Sequence, residues 1–493
     1  MIFLFLSSGL FLGWSLGAND AANVFGTAVG TKMIKFKTAV LIASIFVILG
    51  AVIDGAGASH TLGKLGSINA LAGSFTVALA SAITVAVMTK FRLPVSTSQA
   101  IVGAIIGWNF FSGSLTDINS LTKIVLTWMV CPILAGSFSF VLFNIFKHIL
   151  DRSKIHLLVM DAYTRIALIV VGAFGAYSLG ANNIANVMGV FTNSSPFHNI
   201  NVYGLFTFSG TQQLFLLGSI AIGIGILTYS HKVIRTVGGS LFKLSPITAF
   251  IVVLSHSLVL YIFASQELRN LLVSYGLPPI PLVPVSSSQA VIGAILGIAI
   301  AKGGRNIKFN VLGKISTSWV TTPIIASIIS FIALFFVQNV FDLKVYNKIT
   351  YNFSDKVINQ LEENGVDSNK LKDMKGKNFS NALRLQSELK HFHHFNNEEI
   401  KKIFKYSAVD TILINEKIIR KIVDRDYLTK AQLDALIKIQ NKSFSHIWEF
   451  QYALMKLSDD WRFKEKSQLN KRYNESLNSK YEYLISLFRI SKE

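Results

Sequence analysis

Between Gly17 and Thr27 the chain reads Gly-Ala-Asn-Asp-Ala-Ala-Asn-Val-Phe-Gly-Thr, and from Gly180 to Gly189 it reads Gly-Ala-Asn-Asn-Ile-Ala-Asn-Val-Met-Gly. Each stretch continues an apolar run, so Asn19, Asp20, Asn23, Asn182, Asn183 and Asn186 are expected at membrane depth. Lipid cannot satisfy their hydrogen bonds, and such residues are costly there unless they line a site. Carboxamide and carboxylate oxygens, with any backbone carbonyls freed nearby, are the hard ligands that Na⁺ takes. Asp20 has a second use. It can accept a hydrogen bond from the O–H that phosphate carries near neutral pH, whereas sulfate has no proton to give and would be repelled.

A second pair of stretches supplies donors. Pro94-Val95-Ser96-Thr97-Ser98-Gln99 and Pro284-Val285-Ser286-Ser287-Ser288-Gln289 predict two helix starts. Proline fits the first turn, hydroxyls cap, and apolar runs follow with Gly103 and Gly107 in one copy and Gly293 and Gly297 in the other. A helix N-terminus presents free N–H groups and the positive end of the dipole, so it binds anions. Two of them facing each other across a pseudo-twofold axis near the midplane would surround a tetrahedral oxyanion. In an ordinary helix the same hydroxyls would bond back to carbonyls four residues earlier; the matched second copy argues against that. No Lys or Arg lies within the four stretches, so a co-bound cation is needed to offset the anion's desolvation.

Other polar residues carry less. Lys123 and Lys314 sit near segment starts, from which they can snorkel to the interface. His256, between Ser255 and Ser257 in an apolar run, reads as a packed, hydrogen-bonded histidine. Trp128 and Trp319 read as packing or interface anchors. Cys131 is the single cysteine, so there is neither a disulfide framework nor a thiol metal site. The cluster His391-Phe-His-His-Phe395 lacks acidic or thiol partners at ligand spacing and reads as a surface patch. The membrane motifs hold no nucleophile–base pair and no metal cluster, which argues against an enzyme.

The elements that must position these residues are apolar helices. Hydrophobic residues make up 51% of the chain and charged ones 15%, too few charges for a soluble protein of this length. Residues 1–349 carry a formal charge of +14 and residues 350–493 one of +6. In a chain of many spans such a basic excess marks cytoplasmic loops rather than nucleic-acid binding. Apolar segments, each near the ~20 residues needed to cross a bilayer, fall at roughly 2–30, 38–56, 70–89, 95–111 and 121–147, then 162–191, 204–229, 246–266, 284–301 and 311–341. The first is interrupted by its polar motif, and a polar linker, His148 to His156, divides the two sets of five. The first has no basic leader or cleavage-site pattern and reads as a transmembrane helix.

The two sets match in sequence: Lys123, Trp128 and Pro132 correspond to Lys314, Trp319 and Pro323. Five segments per half imply inverted topology. Loop charges agree. Thr31 to Lys37 holds three lysines and Thr192 to Tyr203 no Lys or Arg. Ser112 to Ser120 has no basic residue, against Lys302, Arg305 and Lys308. Asp54 to Ala70 has one lysine, against Lys232, Arg235 and Lys243. The basic loops thus swap sides between the halves.

From about residue 350 the pattern is amphipathic helix: Ile400 to Val423, and roughly 380–391, 429–457 and 466–490, with Asp367, Asn396 and Thr429 as N-caps. A small helical bundle is the expected packing. The fold class is therefore all-α: a polytopic membrane protein of two inverted repeats with broken helices at the midplane, plus a C-terminal soluble helical bundle. The expected organisation is 1–150 first repeat, 151–161 linker, 162–345 second repeat and 350–493 soluble domain. Ten crossings place both termini on the outer side; one re-entrant or split segment would place the tail in the cytoplasm.

These paired motifs resemble the inorganic phosphate transporter (PiT) family over about residues 1–341. The resemblance implies an α-helical inverted-repeat secondary transporter that moves phosphate with a cation, Na⁺ in some members and H⁺ or metal-phosphate in others. It implies that Asp20, Asn23, Ser96, Thr97, Ser98, Asn186, Ser286, Ser287 and Ser288 contact anion or cation, and the same stretches add Gln99 and Gln289 to the substrate set and Asn19, Asn182 and Asn183 to the cation set. Where this chain has Asn183 the family usually has Asp, which removes a negative charge and bears on the number and identity of coupling cations. Related sulfate permeases keep a second oxyanion in view; Asp20 favours phosphate. The C-terminal region lies outside the usual family core and faintly resembles helical PhoU-type regulatory domains. The expected protein is thus a cell (inner) membrane importer of inorganic phosphate coupled to Na⁺ or H⁺, without further cofactor. A sulfate permease, an anion channel and a receptor are the alternatives. A homo-oligomer and a protein partner for the C-terminal domain are compatible with these features.

Overall fold

The computed structural model describes residues 2–90, 95–153, 155–195, 197, 200–202, 206–237, 244–304, 309–392, 395–421, 423, 427–465 and 467–490. Pro94, Tyr203, Lys243, Arg305, Lys308, His393 and His394 lie outside these residues, and the side chains of Lys232, Arg235 and Lys314 are likewise not described. The chain forms two compact units, Met1–Ser112 with Thr116–Tyr346, and Gly113–Leu115 with Asn347–Glu493.

The first unit consists of α1 (Ile2–Gly30), α2 (Phe36–Asp54), α3 (Ala56–Leu65), α4 (Leu71–Lys90), α5 (Thr97–Ser112), α6 (Ile118–Arg152), α7 (Leu157–Met188), a 3-10 turn (Gly189–Ser194), a hairpin of β1 (Ile200–Val202) and β2 (Phe206–Phe208), α8 (Gly210–Val237), α9 (Pro246–Ala264), α10 (Gln266–Ser274), α11 (Ser287–Ala301) and α12 (Phe309–Asn339). Among the described residues, eight helices are long and apolar enough to cross a bilayer: α1, α2, α4, α6, α7, α8, α9 and α12. This is a multi-pass membrane protein.

Three expectations are corrected here. The first apolar segment is not interrupted, because α1 runs unbroken through Gly17–Thr27 and α7 through Gly180–Met188. The polar side chains in these stretches bond to each other and to neighbouring elements, so the backbone ladder does not have to open. The segments after the Pro-Val-Ser stretches are not full crossings. With 16 and 15 residues, α5 and α11 span only ~24 and ~22 Å at ~1.5 Å per residue, short of a hydrocarbon core of ~30 Å. The polar linker is also shorter than its composition suggests, since α6 continues to Arg152 and α7 starts at Leu157.

Small residues set the packing. Helix α1 lies on α8, α2 on α7, α5 on α12 and α6 on α11. A Cβ at Gly17 would run into the Ile222 carbonyl and one at Gly180 into that of Val47; Gly103 meets Pro323 and Gly293 meets Pro132 in the same way. Close backbone approach at small residues is how helices associate where lipid competes equally for apolar side chains. Every one of these contacts has its counterpart when the two sets of helices are exchanged.

The second unit contains β3 (Thr350–Asn352), α13 (Asp355–Glu363), a 3-10 turn (Ser368–Met374), β4 (Asn378–Phe379), α14 (Ala382–Phe392), α15 (Asn397–Ser407), β5 (Ala408–Val409), β6 (Ile412–Leu413), α16 (Glu416–Lys421), α17 (Lys430–Lys438), β7 (Ser443–Phe444), α18 (Ile447–Leu457) and α19 (Gln468–Phe488). Strands pair antiparallel in the order β4-β3-β5 and as β6-β7. The expected helix over Ile400–Val423 is thus two helices with strands between, and 429–457 is likewise split. The strands are too short for period-two alternation to show in sequence. Two separate cores form, one around Phe353, Leu361 and Leu385 and one around Leu436, Phe450, Trp461 and Tyr481. The caps fall as expected: Asp367 accepts from Asn369 N, and Asn396 and Thr429 form capping boxes with Glu399 and Gln432.

Candidate functional site

The starts of α5 and α11 lie against each other. Ser98 Oγ donates to the Val285 carbonyl at 3.0 Å, and Ser288 Oγ donates to the Val95 carbonyl at 3.3 Å, so each start holds the extended residues ahead of the other. Ser96 and Ser286 are the caps, their Oγ atoms accepting from Gln99 N and Gln289 N at 3.3 Å each. Pro284 accordingly stands two residues ahead of the cap, not in the first turn. The N–H groups of Thr97, Ser98, Ser287 and Ser288 have no intrahelical acceptor, as at every helix start. Backbone donors of both helices therefore meet at one place, with buried hydroxyls around them.

The two Asn motifs reach the same place. In α1, Asn19 Nδ2 and Asn23 Nδ2 donate to Asp20 Oδ1 at 3.5 and 3.4 Å, and Asn23 Nδ2 also donates to Ser287 Oγ at 3.0 Å. In α7, Asn182 Nδ2 and Asn186 Nδ2 donate to Asn183 Oδ1 at 3.1 and 3.0 Å, and Asn186 Nδ2 donates to Ser98 Oγ at 2.8 Å. The motifs join where Asn183 Nδ2 donates to Asp20 Oδ2 at 3.4 Å. Asn182 has a further job. Its Nδ2 donates to the Val285 carbonyl at 2.8 Å and its Oδ1 accepts from Val285 N at 2.9 Å, which pins the extended residues before α11 as a neighbouring strand would. All of these residues are buried except Asn19, which is half-buried.

The electrostatics are unusual for a folded interior. Asp20 is 4% exposed, and its described partners are three neutral amides at long range. Among the described residues no Lys, Arg or His forms an ion pair with it. A buried carboxylate so weakly compensated calls for a cation or a proton close by. Several buried polar atoms of these same stretches have no hydrogen-bond partner among the described residues: Thr97 Oγ1, Gln99 Oε1, Asn186 Oδ1 and Gln289 Oε1. Three of these are carboxamide oxygens, which bind hard cations, and the fourth is a hydroxyl that can donate to an anion.

Asn19, Asp20, Asn23, Asn182, Asn183, Asn186, Ser98 and Ser287 are therefore joined by hydrogen bonds in one polar cluster, and Ser96, Thr97, Gln99, Ser286, Ser288 and Gln289 belong to the two helix starts that meet there. The outlying candidates stay apart: Lys123 is exposed, and Trp128 and Trp319 are partly buried with ring N–H groups that find no partner among the described residues. Cys131 is buried with Sγ 3.8 Å from the Ser286 carbonyl. The residue that sequence reasoning undervalued is His256 in α9, whose Nε2 lies 2.9 Å from Ser287 Oγ. A histidine in an apolar run facing a polar cluster has no periodic signature of its own; the alignment of its helix with α4 is the signal that singles it out. Elsewhere Tyr177 Oη donates to Asp54 Oδ2 at 2.9 Å, an acidic contact between α2 and α7 that sequence did not suggest.

Comparison with known proteins agrees with this geometry. A model described as "Phosphate transporter family" matches residues 16–274 and 282–477. A protein of Methanocaldococcus jannaschii, provisionally named a phosphate permease, is 30% identical over 318 residues, covering 64% of this chain and 91% of that protein. One of Pyrococcus horikoshii with the same provisional name is 25% identical over 404 residues, covering 67% of this chain and 96% of its own. A solved structure of a sodium-dependent phosphate transporter shares the fold, with a TM-score of 0.55 and 22% identity, over 68% of this chain and 98% of that one.

Proposed function

The chain belongs to the phosphate transporter family, a family of transporters and not of enzymes, and from that membership we propose that it imports inorganic phosphate together with a cation. The observation that carries the reading is Asp20. This buried carboxylate is held by the amides of Asn19, Asn23 and Asn183 beside the paired starts of α5 and α11. The backbone N–H groups of Thr97, Ser98, Ser287 and Ser288 and the hydroxyls of Thr97 and Ser287 supply donors for a tetrahedral oxyanion, those of Ser98 and Ser288 being spent on the Val285 and Val95 carbonyls. Asp20 accepts the phosphate O–H, which sulfate lacks. The carboxamide oxygens of Asn186, Gln99 and Gln289 then serve a cation that offsets the charge of both Asp20 and the anion.

Na⁺ is the coupling ion we favour over H⁺, because three of the unpartnered atoms, those of Gln99, Asn186 and Gln289, are neutral carboxamide oxygens with no proton of their own to exchange. A solved transporter of the same fold is sodium-dependent by name, which supports this choice. The reciprocal pairings of α1 with α8 and α2 with α7, and of α5 with α12 and α6 with α11, support two inverted halves that rock about the shared site in alternating access. The second unit, on this reading, regulates transport or recruits a protein partner, and the protein resides in the cell's inner membrane.

Uptake of labelled phosphate into proteoliposomes, with and without an inward Na⁺ gradient, tests the proposal. The expected result is saturable uptake that the gradient accelerates and sulfate does not inhibit. Equal competition by sulfate would favour a general oxyanion permease, electrodiffusive anion current a channel, and tight binding without flux a receptor; each would overturn the proposal.

A further inference from the structure

His256 Nε2 lies 2.9 Å from Ser287 Oγ, and the same oxygen accepts from Asn23 Nδ2 at 3.0 Å. His256 and Ser287 are both buried, the imidazole completely. His256 Nδ1 has no hydrogen-bond partner among the described residues. These three facts fix the direction of the hydrogen bonds. If Nε2 were the acceptor, the ring proton would sit on Nδ1 as a buried N–H without a partner, which leaves its desolvation uncompensated. Orphaned buried N–H groups are rarer than under-satisfied acceptors. Nε2–H therefore donates to Ser287 Oγ.

A serine hydroxyl accepts two hydrogen bonds and donates one. With Asn23 and His256 occupying both acceptor positions, the hydroxyl hydrogen of Ser287 is left to donate, and it does so at the start of α11 where the backbone donors converge. The first half is built differently. Phe75, Val77 and Leu79 of α4 align with Phe250, Val252 and Leu254 of α9, which places Ser81 opposite His256. Ser81 Oγ is buried without a partner among the described residues, and so is Oγ1 of Thr97, the counterpart of Ser287. One half carries an unpartnered hydroxyl and the other a hydroxyl fixed as donor.

Resting on the reading of this cluster as a phosphate site, we propose that His256 is a positioning residue that holds Ser287 as a hydrogen-bond donor to the bound phosphate. Its role needs a neutral donor at the Nε2 position, not a charge, and it makes no contact with the anion itself. The second half thereby recognises a phosphate oxygen more tightly than the first.

Phosphate uptake by proteoliposomes containing the full chain tests this through KM. His256→Leu is expected to raise the phosphate KM about tenfold, the size of one hydrogen bond to a charged acceptor. His256→Gln, whose side-chain amide reaches the position of Nε2, is expected to bring KM back to within about threefold of wild type, while His256→Asn, whose amide reaches only that of Nδ1, stays raised. On a Ser287→Ala background, His256→Leu is expected to cause no further rise, because the two act as one unit. An unchanged KM in His256→Leu, equal values for the Gln and Asn variants, or additive effects in the double variant would each overturn the inference. If His256→Leu does not yield a monodisperse protein, the Gln–Asn comparison alone decides. Absence of phosphate uptake by the wild type would overturn the transport reading and this inference with it, whereas normal wild-type uptake with an unchanged KM in His256→Leu overturns the inference alone.

Discussion

Replacing Asn183 with Asp changes one atom at the centre of the site. The side chain keeps its shape and keeps the oxygen that accepts from Asn182 and Asn186, but the Nδ2 donor facing Asp20 becomes a second carboxylate oxygen. At the observed 3.4 Å, two unit charges in an effective dielectric of ~20 repel by ~5 kcal/mol. A cation between them removes that cost, and retaining even a third of it, ~1.6 kcal/mol, shifts an affinity by more than ~10-fold. Phosphate uptake by Asn183→Asp proteoliposomes, measured against Na⁺ concentration, is therefore expected to half-saturate at least ~10-fold lower in Na⁺ than wild type. Uptake in the absence of Na⁺ is expected to fall by a similar factor, because the anion then meets two uncompensated carboxylates. A Na⁺ dependence indistinguishable from wild type would refute the placing of the cation beside Asp20 and Asn183.

Gly293→Ala drives a Cβ into the Pro132 carbonyl and is expected to lower the thermal midpoint in detergent, overpacking of this kind costing ~1–3 kcal/mol, whereas Gly63→Ala, which meets open space within α3, is expected to hold or raise it. Equal midpoints for the two variants would show that the α6–α11 contact relaxes freely. In the second unit burial pushes Tyr351 up to about 12 and also raises Tyr406, Tyr473 and Tyr481. The folded state thus keeps tyrosine protons that the unfolded chain releases above its ordinary value of about 10. Their contribution to stability is complete below that pH and is lost as pH rises toward the raised values. Burial lowers Lys480 and acts in the opposite sense, stability rising with pH up to the ordinary lysine value, but one lysine stands against four tyrosines. Tyrosinate absorbance of the full chain followed alongside circular dichroism is expected to show unfolding accompany ionisation above about pH 10; free titration of all tyrosines near pH 10 with the fold intact would contradict this.

Much of the site was legible because its chemistry is repeated and out of place. Asp20 and the Asn residues stand in apolar surroundings, and a second copy with the same spacing marks them as a pair of motifs rather than accidents. Apolar run length placed the long membrane helices, each run being close to what a bilayer crossing needs. What sequence could not give was pairing. That Asn182 would spend both its side-chain atoms on Val285, while Asn183 turned to Asp20, depends on which elements meet across the unit. The unbroken course of α1 is not legible in sequence, since polar residues at membrane depth suggest an opened helix and only their partners across the unit show why none is needed. His256 is the packed, hydrogen-bonded histidine that its apolar run suggests, but that its partner is Ser287 depends on how α9 meets α11. In the C-terminal unit the capping boxes at Asn396 and Thr429 were readable from local chemistry alone. Strands of two or three residues were not, since they exist only through their cross-strand partners.

Labelled phosphate uptake by Asp20→Asn beside wild type, in proteoliposomes under the same inward Na⁺ gradient, bears most directly on the claim that this carboxylate is the centre of a cation-coupled phosphate site. The substitution preserves shape, removes the charge and turns one acceptor into a donor that faces an amide donor of Asn183 or of Asn19 and Asn23. Saturable, gradient-driven uptake by wild type with none above background in the variant is the predicted result. Equal KM and equal Na⁺ dependence in the two proteins would contradict it.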